Sequence, residues 1–219
     1  MSKTLSNLLI AAAVLLGLPL ASIAQTVSDS DVIKKTRQLV KEIVERSFPE
    51  LEGEKIEIKS FKSRTNYFKT QFSISRFLTF RKMKTIVLVN PEVFAQNAPD
   101  EGIRAILAHE LGHALFYKER QRLQLLGLIR LASGKFTARF ERQTDLTAIE
   151  RGYGKGLLIY REWLYERVSG KSLERKKRHY FTPEEINLLI AAFEKDPKSA
   201  QKLKKNVPRN LDELKKAVE

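Results

Sequence analysis

The run Ala105-Ile-Leu-Ala-His-Glu-Leu-Gly-His-Ala-Leu115 sets His109, Glu110 and His113 inside a stretch that is otherwise apolar or small. Such a stretch reads as a buried helix. Burying two imidazoles and a carboxylate there is costly unless they are fully hydrogen-bonded or hold a metal. Residues four apart share one helix face, so both imidazoles can reach one ion. Glu110, one position round from His109, can address a water on that ion. The alternative is a hydrogen-bonded pair of core histidines with Glu110 in a salt bridge.

A metal site of this kind needs a third protein ligand and an open position. The chain has three histidines, and the third, His179, lies far downstream. Carboxylates are the remaining choice. Glu141 and Asp145 stand four apart in Phe-Glu-Arg-Gln-Thr-Asp, on one face of a second helix. Glu141 would bind the ion, and Asp145 would take the free ring proton of a ligating histidine. Glu150 competes as third ligand, and Glu119 is a poorer choice because it follows His113 on the same helix.

The absence of cysteine excludes disulfides, a thiol nucleophile, thiolate metal sites and Cys lipidation. Residues 1–24 carry Lys3, an apolar run from Leu8 to Leu20, and small Ser22 and Ala24 before Gln25, the pattern of a cleaved signal peptide. The expectation is an exported protein, periplasmic or secreted, with a single domain over 25–219. The net charge of +14 then points to an anionic membrane or cell-envelope surface, with nucleic acid not expected as a partner.

Around the histidines the pattern is α, then a small sheet, then mostly α. Val32, Ile33, Leu39, Val40, Ile43 and Val44 recur at helical spacing over 29–47, and Ser47-Phe48-Pro49 ends that helix. Lys55 to Leu88 reads as three or four strands with turns near Ser63 and Arg81. Asp100 caps the helix that runs to about Glu119, and another helical stretch covers Leu123–Ala132. Thr137–Val168 is helical, with a break or close approach at Gly152, Gly154 and Gly156. The run Arg175–Arg178 reads as a solvated loop, and Thr182-Pro183-Glu184-Glu185 opens a capped helix. A lysine-rich tail follows from Lys195.

The His-Glu-x-x-His helix followed by Glu141-x-x-x-Asp145 resembles the gluzincin metallopeptidases, more closely the branch of HtpX-like, CAAX-processing and periplasmic BepA-like enzymes. The resemblance covers about 84–168, the metal core. It implies His109, His113 and Glu141 as ligands of one Zn2+ per chain, Glu110 as general base, and Asp145 as support for a histidine. The chain departs from the family at Thr144, where alanine is common, and at Asn97-Ala98-Pro99, which lacks the rim phenylalanine. His179-Tyr-Phe-Thr-Pro183 loosely echoes a later family histidine.

The resemblance implies an α+β, mainly helical zincin-like domain with a small, mostly antiparallel sheet on the zinc helix. It also implies a zinc endopeptidase acting on envelope or exported polypeptides. His179 is the first choice for a second oxyanion donor, with Tyr153, Tyr160 and Tyr180 as the others. Either Thr85–Val89 or Tyr67–Ile74 could pair with an extended substrate. Lys69, Arg76, Arg81 and Lys82 would favour acidic or membrane-adjacent substrates. Two rivals stand beside this: a cell-wall amide hydrolase with the same zinc chemistry, and a non-catalytic basic envelope-binding protein.

Overall fold

The computed structural model describes residues 28–72, 84–119 and 134–219. The signal-peptide expectation for 1–24, the helix expected at Leu123–Ala132, and Arg76, Arg81 and Lys82 lie outside the described residues.

Helix α1 (Asp29–Ser47) begins where the Ser28 hydroxyl accepts the Asp31 N–H, and it buries Val32, Leu39, Val40, Ile43 and Val44 along one stripe. Phe48 and a short 3-10 turn, Pro49–Leu51, close it. Three strands follow, β1 (Ile56–Ser60), β2 (Phe68–Phe72) and β3 (Thr85–Val89), in the order β1-β3-β2. β1 runs parallel to β3, with Ile58 opposite Val87. β2 runs antiparallel to it, with Thr70 opposite Val87.

The sheet is therefore mixed, not mostly antiparallel. Alternation and β-branching mark a segment as strand, but they say nothing about which neighbour it joins. Here the last strand inserts between the first two, and that placement makes one pairing parallel.

The helices after the sheet are α2 (Glu92–Ala95), α3 (Asp100–Glu119), α4 (Gly134–Ala148), α5 (Gly154–Tyr165), α6 (Gly170–His179), α7 (Pro183–Lys195), α8 (Ser199–Lys205) and α9 (Leu211–Val218). A widened π-type turn, Ile149–Tyr153, joins α4 to α5. The mainly helical α+β architecture is the one expected. No helix among the described residues is long and apolar enough to cross a membrane.

α3 is the hub, touching α1, β2, α4 and α5. From Ile103 to Leu115 only Arg104 escapes burial, so both histidines of the helix are buried. Gly156 allows α5 to lie close against α3, since a Cβ there would sit 2.5 Å from the Glu101 carbonyl oxygen and 2.9 Å from Ala105 Cβ. α7 opens with the expected capping box, in which the Thr182 hydroxyl accepts the Glu185 N–H and Glu185 accepts the Thr182 N–H. Buried Arg142 binds the same carboxylate at 2.8 Å, tying α4 to α7.

Candidate metal centre

His109 and His113 lie one turn apart on α3, and Glu141 reaches them from α4. The Glu141 Oε2 lies 3.2 Å from His109 Nε2 and 3.1 Å from His113 Nε2. Ligand atoms from all three residues fall within 4.8 Å of one another, a group that could hold a metal ion. Ligands about 2.0–2.1 Å from a tetrahedral metal stand roughly 3.3 Å apart, close to the spacing between Glu141 and each histidine. The donor set therefore fits a metal of nitrogen and oxygen preference.

Each imidazole has its other nitrogen occupied. His109 Nδ1 lies 2.7 Å from Asp145 Oδ1. Asp145 is wholly buried and accepts from Arg161 Nη2 at 3.0 and 3.2 Å and from the Phe181 N–H at 3.0 Å. Each carboxylate oxygen thus accepts two bonds. Burial alone would raise the Asp145 pKa, but Arg161 and His109 outweigh it and bring it below the usual carboxylate value. The carboxylate consequently accepts the Nδ1–H of His109 and leaves Nε2 directed at Glu141.

His113 is held by a neutral relay. Its Nδ1 lies 3.3 Å from the Thr144 hydroxyl, which in turn donates to the Phe140 carbonyl at 2.9 Å. Because that hydroxyl proton is committed to Phe140, its oxygen is free to accept from Nδ1–H, and Nε2 again faces Glu141. The relay explains Gly112. A Cβ at that position would meet Thr144 Cγ2 at 2.7 Å, so only glycine lets the threonine stand beside α3. Thr144 is therefore part of the histidine support.

Glu110 is buried, and its Oε2 has no hydrogen-bond partner. Its backbone carbonyl accepts the Thr70 hydroxyl at 3.2 Å, pinning α3 to β2. Burial raises the Glu110 pKa, with His113 and His109 opposing the shift. For Glu141 the balance is reversed: burial would raise its pKa, yet the two histidines hold it well below the carboxylate range. The two carboxylates are thus pushed in opposite directions, Glu141 downward by the imidazoles and Glu110 upward by burial.

The remaining expected residues divide by place. His179 and Tyr180 line the cleft of about 360 Å3 onto which Glu110, His113 and Glu141 open. The Tyr180 ring stands 5.9 Å from that of His109 and 4.4 Å from the Arg161 guanidinium. Tyr153 is elsewhere, its hydroxyl 3.0 Å from that of Ser47. Tyr160 is buried with its ring against Phe68 and Trp163. Glu150 pairs with Lys204 instead of joining the cluster, and Glu119 is exposed at the end of α3.

Three residues escaped sequence reasoning. Arg161 carried a readable signal, a cation on the apolar stripe Leu157-Tyr160-Arg161-Leu164 at helical spacing. Thr144 signalled itself only through its place between Glu141 and Asp145. Lys176 sits in the basic run expected to be a solvated loop, but the run lies on α6 and Lys176 is buried there. Spacing from Lys176 alone does not reveal that burial.

No family model, curated protein or solved structure matches this chain.

Proposed function

We propose that the chain is an exported zinc-dependent endopeptidase that hydrolyses peptide bonds of envelope or other exported polypeptides. The observation that carries this is the convergence of His109 Nε2, His113 Nε2 and Glu141 Oε2 beside a cleft that Glu110 also lines, its buried Oε2 without a hydrogen-bond partner. His109, His113 and Glu141 would hold the ion. Zinc at such a site supplies a Lewis acid for the scissile carbonyl and acidifies water.

The chain's own residues do the rest. Glu110 takes a proton from the attacking water and returns it to the departing amine nitrogen. Burial raises its pKa, which makes the carboxylate a stronger base than one in water. Asp145 and Thr144 keep the two rings turned so that neither imidazole reorganises during the reaction. Tyr180 and His179, on the cleft wall, are two of the donors that could meet a developing oxyanion.

An extended substrate would add to β2, whose outer edge is unpaired among the described residues and whose Phe68, Lys69 and Thr70 border the cleft. β3, the other strand considered, is central and has both edges occupied. The test is metal content by mass spectrometry together with cleavage of an unfolded protein substrate, for the parent and Glu110→Gln. About one zinc in both proteins and cleavage only by the parent is the expected result. Zinc without cleavage of any polypeptide would favour the cell-wall hydrolase or the binding protein, and absence of zinc after reconstitution would sink the enzyme.

A further inference from the structure

We infer that the cleft contains a carboxylate-binding subsite centred on Lys176 and flanked by Arg175 and Lys69. The peptides it takes would carry a negative charge beside the scissile bond, as a chain-terminal carboxylate or as an acidic side chain. This rests on the peptidase reading and names the substrate class for the same cleft.

Lys176 projects from the inner side of α6 and is only 8% exposed. Its Nζ donates to Asn66 Oδ1 at 3.3 Å, and no carboxylate lies within ion-pairing distance of it among the described residues. A buried ammonium with only a neutral amide for company is expensive, and structural lysines at that depth are normally paired. Both Lys176 and Asn66 line the cleft, next to Glu110 and Glu141. Burial pulls the Lys176 pKa down to about 8, with Arg161 and Arg175 adding to the effect while Glu141 and Glu110 oppose it. The group still carries its charge over most molecules at neutral pH.

Arg175 and Lys69 stand at the mouth of the same cleft, exposed and without an acidic partner among the described residues. Among the described residues, the cleft's only carboxylates are Glu141, assigned to the metal, and Glu110, assigned to the proton. Among the described residues, three cations therefore face a space with no uncommitted acid to neutralise them. A carboxylate entering it would meet a desolvated ammonium at depth and a guanidinium at the rim, a charge-assisted pairing far stronger there than in water. Peptide substrates offer that group at the C-terminus or on Asp and Glu. The two sources differ in one way that can be read: amidation removes the first and spares the second.

The experiment measures binding separately from turnover. The full-length protein carrying Glu110→Gln is titrated into three fluorescent peptides of one sequence. One ends in a free acid, one in an amide, and one in an amide with a glutamate in place of a central glutamine. Either charged form should bind about 10- to 100-fold more tightly than the neutral amide, the worth of a charge-assisted hydrogen bond. Preference for the free acid identifies a terminal carboxylate, and preference for the glutamate peptide identifies a side chain.

Lys176→Met should bring the three affinities within about twofold, while Lys176→Arg retains most of the discrimination. If Lys176→Met does not fold, Arg175→Ala and Lys69→Ala, at exposed positions, should each cut the preference severalfold. Equal affinity for all three peptides overturns the subsite, as does a preference untouched by every one of these substitutions. Cleavage by the parent with equal affinities leaves the peptidase and removes the subsite. Charge-selective binding without cleavage by the parent leaves the subsite and removes the peptidase.

Discussion

The two halves of the candidate metal centre orient their histidines by different physics. His109 leans on a fully buried ionic pair, Asp145 with Arg161. His113 leans on an uncharged hydroxyl that borrows its polarity from a helix carbonyl. An ionic support at that depth holds hard, but it is intolerant, because removing either partner strands a charge away from water. A neutral relay holds more weakly and loses little when broken. The halves also meet different neighbours. Asp145 ties in α5 and the start of α7 through Arg161 and Phe181, whereas Thr144 binds only within α4 and to α3.

The sharpest way to break the comparison is Asp145→Ala. It leaves Arg161 buried and unpaired, and about 3–5 kcal/mol of stability should disappear in denaturant titration. Zinc affinity should fall by about 10- to 100-fold as well. A loss no larger than that of a surface carboxylate would show that the ionic half is not the anchor described.

Next in size is Gly112→Ala, where the added methyl collides with Thr144 Cγ2 and should cost about 1–3 kcal/mol. Combining it with Thr144→Ser, which removes that methyl, should recover much of the loss. Additive effects in the double mutant would mean that the two residues do not share the space. Thr144→Val keeps the shape and removes the hydroxyl, so about 0.5–1.5 kcal/mol is expected, with a clearly smaller fall in zinc affinity than for Asp145→Ala. An equal fall would erase the distinction between the halves.

The smallest effect is a count of protons. Burial would lower the His109 pKa, but Asp145 and Glu141 outweigh it and raise it to about 10. The metal-free ring therefore carries both protons at neutral pH, and an ion can bind only when Nε2 gives one up. Calorimetric zinc titrations near neutral pH, in buffers of different ionisation enthalpy, should show about one proton released from His109. Asp145→Asn should reduce that number.

The sign for stability follows from the same shift. A folded pKa above the ordinary 6.5 makes a contribution to the metal-free protein that is full below that value and is lost as pH rises through about 10.

Much of the centre was legible from spacing. About 3.6 residues per turn puts 109 and 113 on one face, and the same rule puts 141 and 145 on another, whatever surrounds them. The Thr182–Glu185 cap was legible for the same reason, because its partners are three residues apart. Arg161 was harder: its place on a buried stripe was readable, but its partner lies on a different helix. The mixed order of the sheet left no mark in the strands themselves, since β1 and β3 carry the same alternation whichever way they pair.

Lys176 and Arg178 show where local reading ends. Both belong to one basic run on α6, and one is buried in a cleft while the other is exposed. The sequence by itself determined what depends on neighbours a few residues away: which segments are helix or strand, which side chains share a face, and so which two pairs of residues can act together. Only the tertiary structure decided which face meets which. That is what brought Glu141 to the two histidines, seated Asp145 on Arg161, and turned a lysine inward, because packing distances between helices are set by side chains far apart in the chain.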